Sequence, residues 1–301
     1  MPTREAQVIG LDIGGSKTLA GLVTRAGEVD STKQVETAPT PAAILAAARS
    51  LCQSLLDEAD RPVLGIGIGS AGIIDAKAGR VVFANENMPG WSGTRLAELE
   101  IGGGLPISAE NDVRALAYGE ALVGAGADFD SLLCVTVGTG IGGALILNGE
   151  VWHGADYSGG EIGYLVVDWE RGEPVILDQY ASGPAIERAY QIASASENRL
   201  PLPKVGQLAA AGDTLARGAI ETGAGKLGAI LAGCATAINP AAVIVGGGVP
   251  QVGALWWKAL EAVFRDRLPP PVAATPLLPA TLGANAVMLG AAMLAWRKVD
   301  A

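Results

Sequence analysis

The sequence predicts an α/β protein built from two related domains. Apolar runs of strand length recur along the chain and alternate with stretches of helical periodicity. Two segments, LDIGGSKTLAGL at 11–22 and LLCVTVGTGIGGALIL at 132–147, each show a strand, a glycine-containing turn and a second strand. Because this arrangement occurs once in each half of the chain, we expect an internal duplication with one β-hairpin opening each domain.

The other elements follow from local signals. Thr40 and Pro41 predict the start of a helix, because Thr caps the first turn well and Pro fits it. A helix with spaced apolar residues is expected from residue 113, directly after a strand. Further strands are predicted at 63–69, 79–85, 105–112 and 241–246, and further helices at about 213–238, 254–268 and 285–299.

Composition narrows the class of partner. The 301 residues are 50% apolar and carry 31 acidic against 21 basic side chains, for a formal net charge of -10. Such a surface repels nucleic acids and anionic membranes, so we expect a small-molecule partner. The three cysteines are scattered, which favours a reducing, cytoplasmic location. We expect neither a signal peptide in the opening MPTREAQ nor a membrane span.

Three glycine-rich turns follow buried-looking strands. Backbone N–H groups that converge without Cβ atoms bind phosphate chains, and glycine provides such a surface. Each turn alone is typical of an ordinary tight turn, and none matches a Walker A loop or GxGxxG. Their conjunction predicts a phosphate site. The turns contain Gly14, Gly15, Ser16, Lys17 and Thr18; Gly138, Thr139 and Gly140; and Gly246, Gly247 and Gly248.

Asp12 lies at the end of the first strand, beside the first of these turns. A carboxylate there can hold Mg²⁺ directly or through water, since Mg²⁺ takes few protein oxygens and keeps several waters. The alternative is an Asp that only caps the turn. Lys17 either neutralises phosphate charge or is a solvated turn residue.

The chain resembles the ROK family of sugar kinases, in the actin-like ATPase superfamily. The resemblance runs nearly from end to end and rests on ordered motifs. These are LDIGGSKT (11–18), GSAGIID (69–75), NMPGW (87–91), ENDVRALAYGE (110–120), TVGTGIGGALILNGEVWHGADYSGGEIGY (136–164), YASG (180–183), IVGGGV (244–249) and LGANAVMLGAA (282–292).

The resemblance implies two actin-like (ribonuclease H-like) α/β domains with a cleft between them. A small domain would comprise residues 1–112 and about 286–301, and a large domain residues 113–285. ATP phosphates, with Mg²⁺, would be held by the glycine turns, and a sugar would bind between the domains. Family members are often homodimers, so a homodimer is a further expectation.

The resemblance also assigns Asp112 as the general base that takes a proton from a sugar hydroxyl. Its position between an apolar strand and a helix agrees with that role, since phosphoryl transfer needs a rigidly placed proton acceptor. The alternative is a helix N-cap. Sugar hydroxyls would be bound by Asn111 and Glu161, with Gly72 and Asn87 also on the sugar side.

The sequence departs from the family at a zinc site. Many relatives carry a His ending GEIGH and a cysteine loop, whereas this chain has Tyr164 and a loop without cysteine. Structural zinc needs about four N or S ligands, so no zinc is expected. The loop would instead be held by packing of Trp169, Ile176 and Leu177.

These changes bear on the substrate. Tyr164 and Asp178 occupy positions that face the sugar in relatives, so an altered hydroxyl pattern is expected. Glucose remains open beside amino sugars such as N-acetylmannosamine or kanosamine. We predict ATP-dependent phosphorylation of a hexose or aminohexose, most simply at the 6-hydroxyl. The alternatives are a non-catalytic ROK-type regulator, a polyphosphate-dependent kinase or another actin-like ATPase. Arg114 reads as a solvated helix position.

Overall fold

A computed structural model describes residues 6–85 and 88–301 of the chain. The strands are β1 Gln7–Ile13, β2 Lys17–Thr24, β3 Val29–Glu36, β4 Val63–Ser70, β5 Ile73–Asp75, β6 Arg80–Phe83, β7 Ile107–Asn111, β8 Ser131–Val137, β9 Ile141–Leu147, β10 Glu150–Trp152, β11 Val166–Glu170, β12 Glu173–Ile176, β13 Ala242–Gly246 and β14 Leu277–Pro279. The helices are α1 Pro41–Glu58, α2 Asp112–Val123, α3 Asp178–Ala181, α4 Gly183–Ala193, α5 Leu202–Ala210, α6 Thr214–Ile238, α7 Ala254–Arg267 and α8 Ala286–Asp300.

The two large sheets repeat one strand order. The first runs β3-β2-β1-β4-β7 and the second β10-β9-β8-β13-β14. In each, an antiparallel hairpin is followed by strands that run parallel to its first member. The mixed α/β fold predicted from the sequence is confirmed, and the shared order is what the repeated hairpin motif led us to expect.

Local signals account for several boundaries. The Thr40 side chain accepts a hydrogen bond from the backbone N–H of Ala43, so α1 begins at Pro41 as predicted. Asp213 caps α6 in the same way, through the N–H groups of Leu215 and Ala216. The loop at 165–177 differs from expectation because it forms a hairpin of β11 and β12, turning at Arg171 and Gly172 with positive φ values of 51° and 87°.

Contacts divide the chain into two compact units. The first comprises Met1–Asp128, Gly149–Gly159 and Thr281–Ala301, and the second comprises Phe129–Asn148 and Gly160–Ala280. The family resemblance predicted a boundary between the two domains after Asp112. In the structure, α2 packs against α8 within the first unit. Each unit has its own core, one around β1 and β4 and the other around β8, β13 and α6.

Glycines let α8 lie directly on the first sheet and on α2. A Cβ on Gly67 of β4 would stand 1.7 Å from the carbonyl oxygen of Ala291. A Cβ on Gly290 would stand 1.7 Å from the carbonyl oxygen of Ala115. No real side chain tolerates such distances, so this close contact requires glycine. It explains the glycine-rich strand VLGIGIG and why the last helix joins the first unit.

Candidate active site

The turn between β1 and β2 presents the first predicted phosphate residues. The Gly14 N–H donates to the Lys17 carbonyl at 3.1 Å, and the Thr37 hydroxyl donates to the Gly14 carbonyl at 2.6 Å. Gly15, Ser16 and Lys17 are exposed, so the tip of the turn is accessible. Thr18 is buried, and its hydroxyl lies 3.4 Å from that of Thr37. Thr18 therefore supports the turn from inside.

Two carboxylates of the first unit influence each other beside this turn. Burial, and then the charge of Asp112, raise the pKa of Asp12 to about 7, while Lys17 lowers it. Burial raises the pKa of Asp112 to about 6, against hydrogen bonds from Val113 and Asn111 that lower it. Two close, partly desolvated carboxylates are an electrostatic setting that a divalent cation relieves.

The surroundings of Asp12 fit Mg²⁺, which needs few protein ligands, better than a metal ion that is coordinated entirely by protein side chains. In the part of the chain that the structure describes, no group of three or more His, Cys, Asp or Glu side chains could hold a metal ion. Mg²⁺ is commonly bound by one or two carboxylates together with waters and substrate phosphates. Asp12 is thus a candidate ligand of the kind expected for a nucleotide-bound magnesium ion.

Asn111 and Asp112 are held rigidly where β7 passes into α2. Asn111, rather than Asp112, is the helix N-cap, because its side-chain oxygen accepts the Arg114 N–H at 3.1 Å. Oδ1 of Asp112 accepts hydrogen bonds from Asn111 Nδ2 and the Val113 N–H, each at 2.8 Å. Capping therefore does not explain Asp112, because Asn111 is the residue that caps α2.

Gly72 adjoins this segment. The Asn111 side chain donates to the Gly72 carbonyl at 2.9 Å, so two residues predicted on the sugar side are in contact. Gly72 has a φ of 103°, and a Cβ there would stand 2.5 Å from the Phe83 carbonyl oxygen. Asn87, also predicted on the sugar side, lies outside the described residues.

The second unit brings its two glycine turns together. The Gly138 carbonyl oxygen accepts the Gly183 N–H at 2.8 Å, while Thr139 and Gly140 are exposed. Gly247 has a φ of 97°, and a Cβ there would stand 2.3 Å from the carbonyl oxygen of Val137, the residue before Gly138. These turns lie side by side and leave exposed backbone, including Gly248.

Asp178 contacts the first of these turns. Its Oδ1 accepts the Ile141 N–H at 2.6 Å, just after Gly140. The residue predicted to read the sugar therefore also braces a predicted phosphate turn. Glu161 is partly buried and precedes a 3-10 turn, whereas the Tyr164 side chain at the end of that turn is 65% exposed.

A polar cluster holds the hairpin of β11 and β12, where the sequence analysis expected no zinc. Lys226 Nζ lies 2.6 Å from Asp168 Oδ2 and 4.3 Å from the centre of the Tyr180 ring. The Tyr180 hydroxyl oxygen lies 2.6 Å from Glu170 Oε1 and 3.2 Å from Asp168 Oδ2, so its one proton is shared between these carboxylates. This cluster joins β11, α3 and α6, so ionic and hydrogen-bonding contacts stabilise the loop.

The packing expected for that loop is correct only in part. Leu177 is completely buried and Ile176 is partly buried. Trp169 is 66% exposed, so the expectation that it packs the loop was wrong. Strand alternation explains the difference, because Asp168 of β11 lies toward Lys226 and Tyr180 and its neighbour Trp169 points the opposite way.

The sequence analysis missed a buried network next to the candidate base. Arg114 is completely buried, so its interpretation as a solvated helix position was wrong. Its Nη2 donates to the Tyr157 carbonyl at 2.7 Å and the Gly159 carbonyl at 3.1 Å. Glu110 is 2% exposed and lies 2.6 Å from His153 Nε2. A basic residue two positions after Asp112 was the available signal.

Comparison with known proteins now identifies the family. The model of the ROK family matches residues 8–298. The chain belongs to the ROK family. It is 32% identical to the glucokinase of Streptomyces coelicolor over 312 residues, covering 95% of this chain and 96% of that protein.

Two solved structures extend this result to the fold. One is a ROK hexokinase from Thermus thermophilus, with a TM-score of 0.86 and 32% identity over 98% of this chain and 99% of that one. The other is a ROK family glucokinase from Streptomyces griseus in complex with glucose and AMPPNP, with a TM-score of 0.82 and 34% identity over 97% and 99%. The predicted family and actin-like fold are thereby confirmed. Among the described residues, no helix is long and apolar enough to cross a membrane.

Proposed function

We propose that this protein transfers the γ-phosphoryl group of ATP to the 6-hydroxyl of a hexose or aminohexose, with Asp112 as the general base. The coarser statement, an ATP-dependent sugar kinase, follows from membership of the ROK family and from relatives named as glucokinases. The sugar, the position of its reacting hydroxyl and the residue roles are our proposals.

The setting of Asp112 is the observation that carries the proposal. Its Oδ1 accepts two hydrogen bonds, which hold the carboxylate in one orientation, and in our proposal Oδ2 faces the substrate. Burial raises its pKa to about 6, close to the value at which a base is both ionised near neutral pH and basic enough to work. Oδ2 would take the hydroxyl proton as the sugar oxygen attacks the γ-phosphorus and ADP leaves.

The glycine turns account for the donor. The turn at 14–18 and the turns at 138–140 and 246–248 offer exposed backbone for phosphate oxygens. We assign Asp12 to magnesium, which when bound would neutralise charge on the transferring phosphate. Lys17 is exposed at the tip of the first turn, where its ammonium group can approach phosphate.

The sugar would be bound by the polar groups that the family resemblance indicates. We assign this role to six residues: Gly72, Asn87, Asn111, Glu161, Tyr164 and Asp178. Unmatched polar groups are costly in a closed site, so these residues would select a hydroxyl pattern. Because Tyr164 replaces a His and the loop beside it is held without cysteine, an amino sugar stands beside glucose as a candidate. We propose that no zinc takes part.

A coupled ADP-release assay tests the function. Each sugar is offered with ATP. Because transfer from polyphosphate forms no ADP, the sugar phosphate is measured directly when polyphosphate replaces ATP. The sugars are glucose, mannose, fructose, glucosamine, N-acetylmannosamine, N-acetylglucosamine and kanosamine. With ATP, one sugar should give a much higher rate of ADP release than the others. The 6-deoxy analogue of that sugar should give no ADP release. Sugar binding by calorimetry without phosphoryl transfer would indicate a regulator instead, and transfer from polyphosphate alone would overturn the proposed donor.

A further inference from the structure

The guanidinium group of Arg114 is buried at the start of α2, although burial of a charge is costly unless it is paired and hydrogen-bonded. Two carbonyl oxygens, of Tyr157 and Gly159, accept from its Nη2. Its Nη1 lies 3.8 Å from Glu110 Oε1, also buried. Burial of two opposite charges in one network indicates that the chain maintains this arrangement at a cost.

The segment that Arg114 binds, residues 153–159, is called the anchor loop below. Tyr157 has a φ of 59°, a conformation that a non-glycine residue adopts only when its surroundings enforce it. A Cβ on Gly159 would stand 2.7 Å from the Trp152 ring. Arg114 binds the carbonyl of the strained residue itself and the carbonyl two residues later. The guanidinium therefore fixes the path of the anchor loop.

Glu110 joins the anchor loop to the candidate base. Its Oε2 lies 2.6 Å from His153 Nε2, at the start of the loop. Its Oε1 accepts the N–H of Asn111 at 2.8 Å. A shift of the Glu110 carboxylate would move Asn111 and the adjoining Asp112. The position of the base therefore depends on Arg114 and His153, the two residues beside this carboxylate.

A second contact ties the same parts together. The backbone N–H of Ala78 and then the Tyr157 hydroxyl lower the pKa of Asp75, on the strand that follows Gly72. Gly72 in turn accepts a hydrogen bond from the Asn111 side chain. The anchor loop is thus bound from α2 and from β7 and lies near β5. Asn111 is hydrogen-bonded to Arg114, to Glu110 and to Gly72, the residue before β5.

We propose that Arg114 is a positioning residue of the phosphoryl-transfer site, which holds the anchor loop against the end of β7 and so sets the geometry of Asp112. This inference rests on the proposed function. A displacement of about 1 Å at a reacting group can cost about 100-fold in rate, so loss of the guanidinium should be visible in turnover.

The test uses Arg114→Ala and Arg114→Lys in the full chain. Arg114→Ala should lower kcat/KM for the preferred sugar about 10- to 100-fold, with KM for ATP within about twofold of wild type. Guanidinium chloride at millimolar concentration should restore part of the activity by filling the space, whereas urea, neutral and similar in shape, should not. Arg114→Lys should be intermediate, because an ammonium group cannot reproduce the planar fork.

Arg95→Met is the matched control, because Arg95 is exposed and pairs only with Glu98 among the described salt bridges. If Arg114→Ala does not fold, His153→Ala and His153→Gln carry the test, with loss of kcat/KM in the first and recovery in the second. An Arg114→Ala or His153→Ala enzyme with wild-type kcat/KM, or with sugar and ATP affinities reduced equally and no rescue, would overturn the inference. If the wild-type enzyme phosphorylated no sugar, that result would contradict the proposed function and not the inference about Arg114.

Discussion

Replacing Asp112 by Asn separates the chemistry of this residue from its shape. The Asn oxygen can still accept the hydrogen bonds that Asn111 and Val113 now give to Oδ1 at 2.8 Å. The variant cannot take a proton, and general-base catalysis typically contributes about 10²- to 10⁴-fold. We therefore expect kcat to fall by about that factor while the affinity for ATP stays close to wild type.

The same substitution should stabilise the protein above pH 6. Burial raises the pKa of Asp112 from 3.8 to about 6, so the folded chain binds this proton more tightly than the unfolded chain. Ionised Asp112 therefore destabilises the native state at high pH, by about 3 kcal/mol if the whole shift is realised. The penalty falls as the pH drops below about 6 and is lost below 3.8, where Asp112 is protonated in both states. Removing the charge also removes a cause of the raised pKa of Asp12.

Calorimetric unfolding at pH 8 and pH 4, together with steady-state kinetics, tests both parts. Asp112→Asn should raise the free energy of unfolding at pH 8 by about 1–3 kcal/mol, with little change at pH 4. Asp300→Asn is the control of opposite sign, because Arg25 lowers the pKa of Asp300 and the substitution removes a favourable charge. Near-normal kcat, or a clear loss of stability at pH 8, would refute the reasoning for Asp112.

Three further results are expected. In wild type, kcat/KM for the sugar should fall about tenfold per pH unit below about pH 6, as Asp112 becomes protonated; a flat profile to pH 5 would contradict this. Gly247→Ala should cost about 2 kcal/mol or more in thermal unfolding, because its φ is 97° and the new methyl would meet a carbonyl, whereas Gly248→Ala should cost less than about 0.5 kcal/mol; equal effects would refute the assignment. Lys226→Met should raise the KM for the sugar about 3- to 10-fold, because it releases Asp168, and an unchanged KM would contradict a role of this ion pair in holding the loop. Elemental analysis of wild type should find no stoichiometric zinc, and one zinc per chain would contradict a metal-free loop.

Part of the candidate site was visible in the sequence because it depends on neighbouring residues. Thr40 and Pro41 marked the start of α1, and the glycine turns marked hairpins that the structure contains. The resemblance to the ROK family singled out Asp112, and its position at the junction of an apolar strand and a helix agreed with that role. The capping alternative could be decided only by coordinates, which gave that role to Asn111.

The sequence by itself determined the repeated hairpin, the order of the main elements and the polar residues at the ends of strands, since turn chemistry and periodicity act over a few residues. Only the tertiary structure decided the environment of Arg114, whose carbonyl partners lie 43 and 45 residues along the chain. It also decided that Lys226, 58 residues from Asp168, holds the β11–β12 hairpin. Burial and partners of a charged side chain depend on which distant segments pack around it, and no local pattern records that.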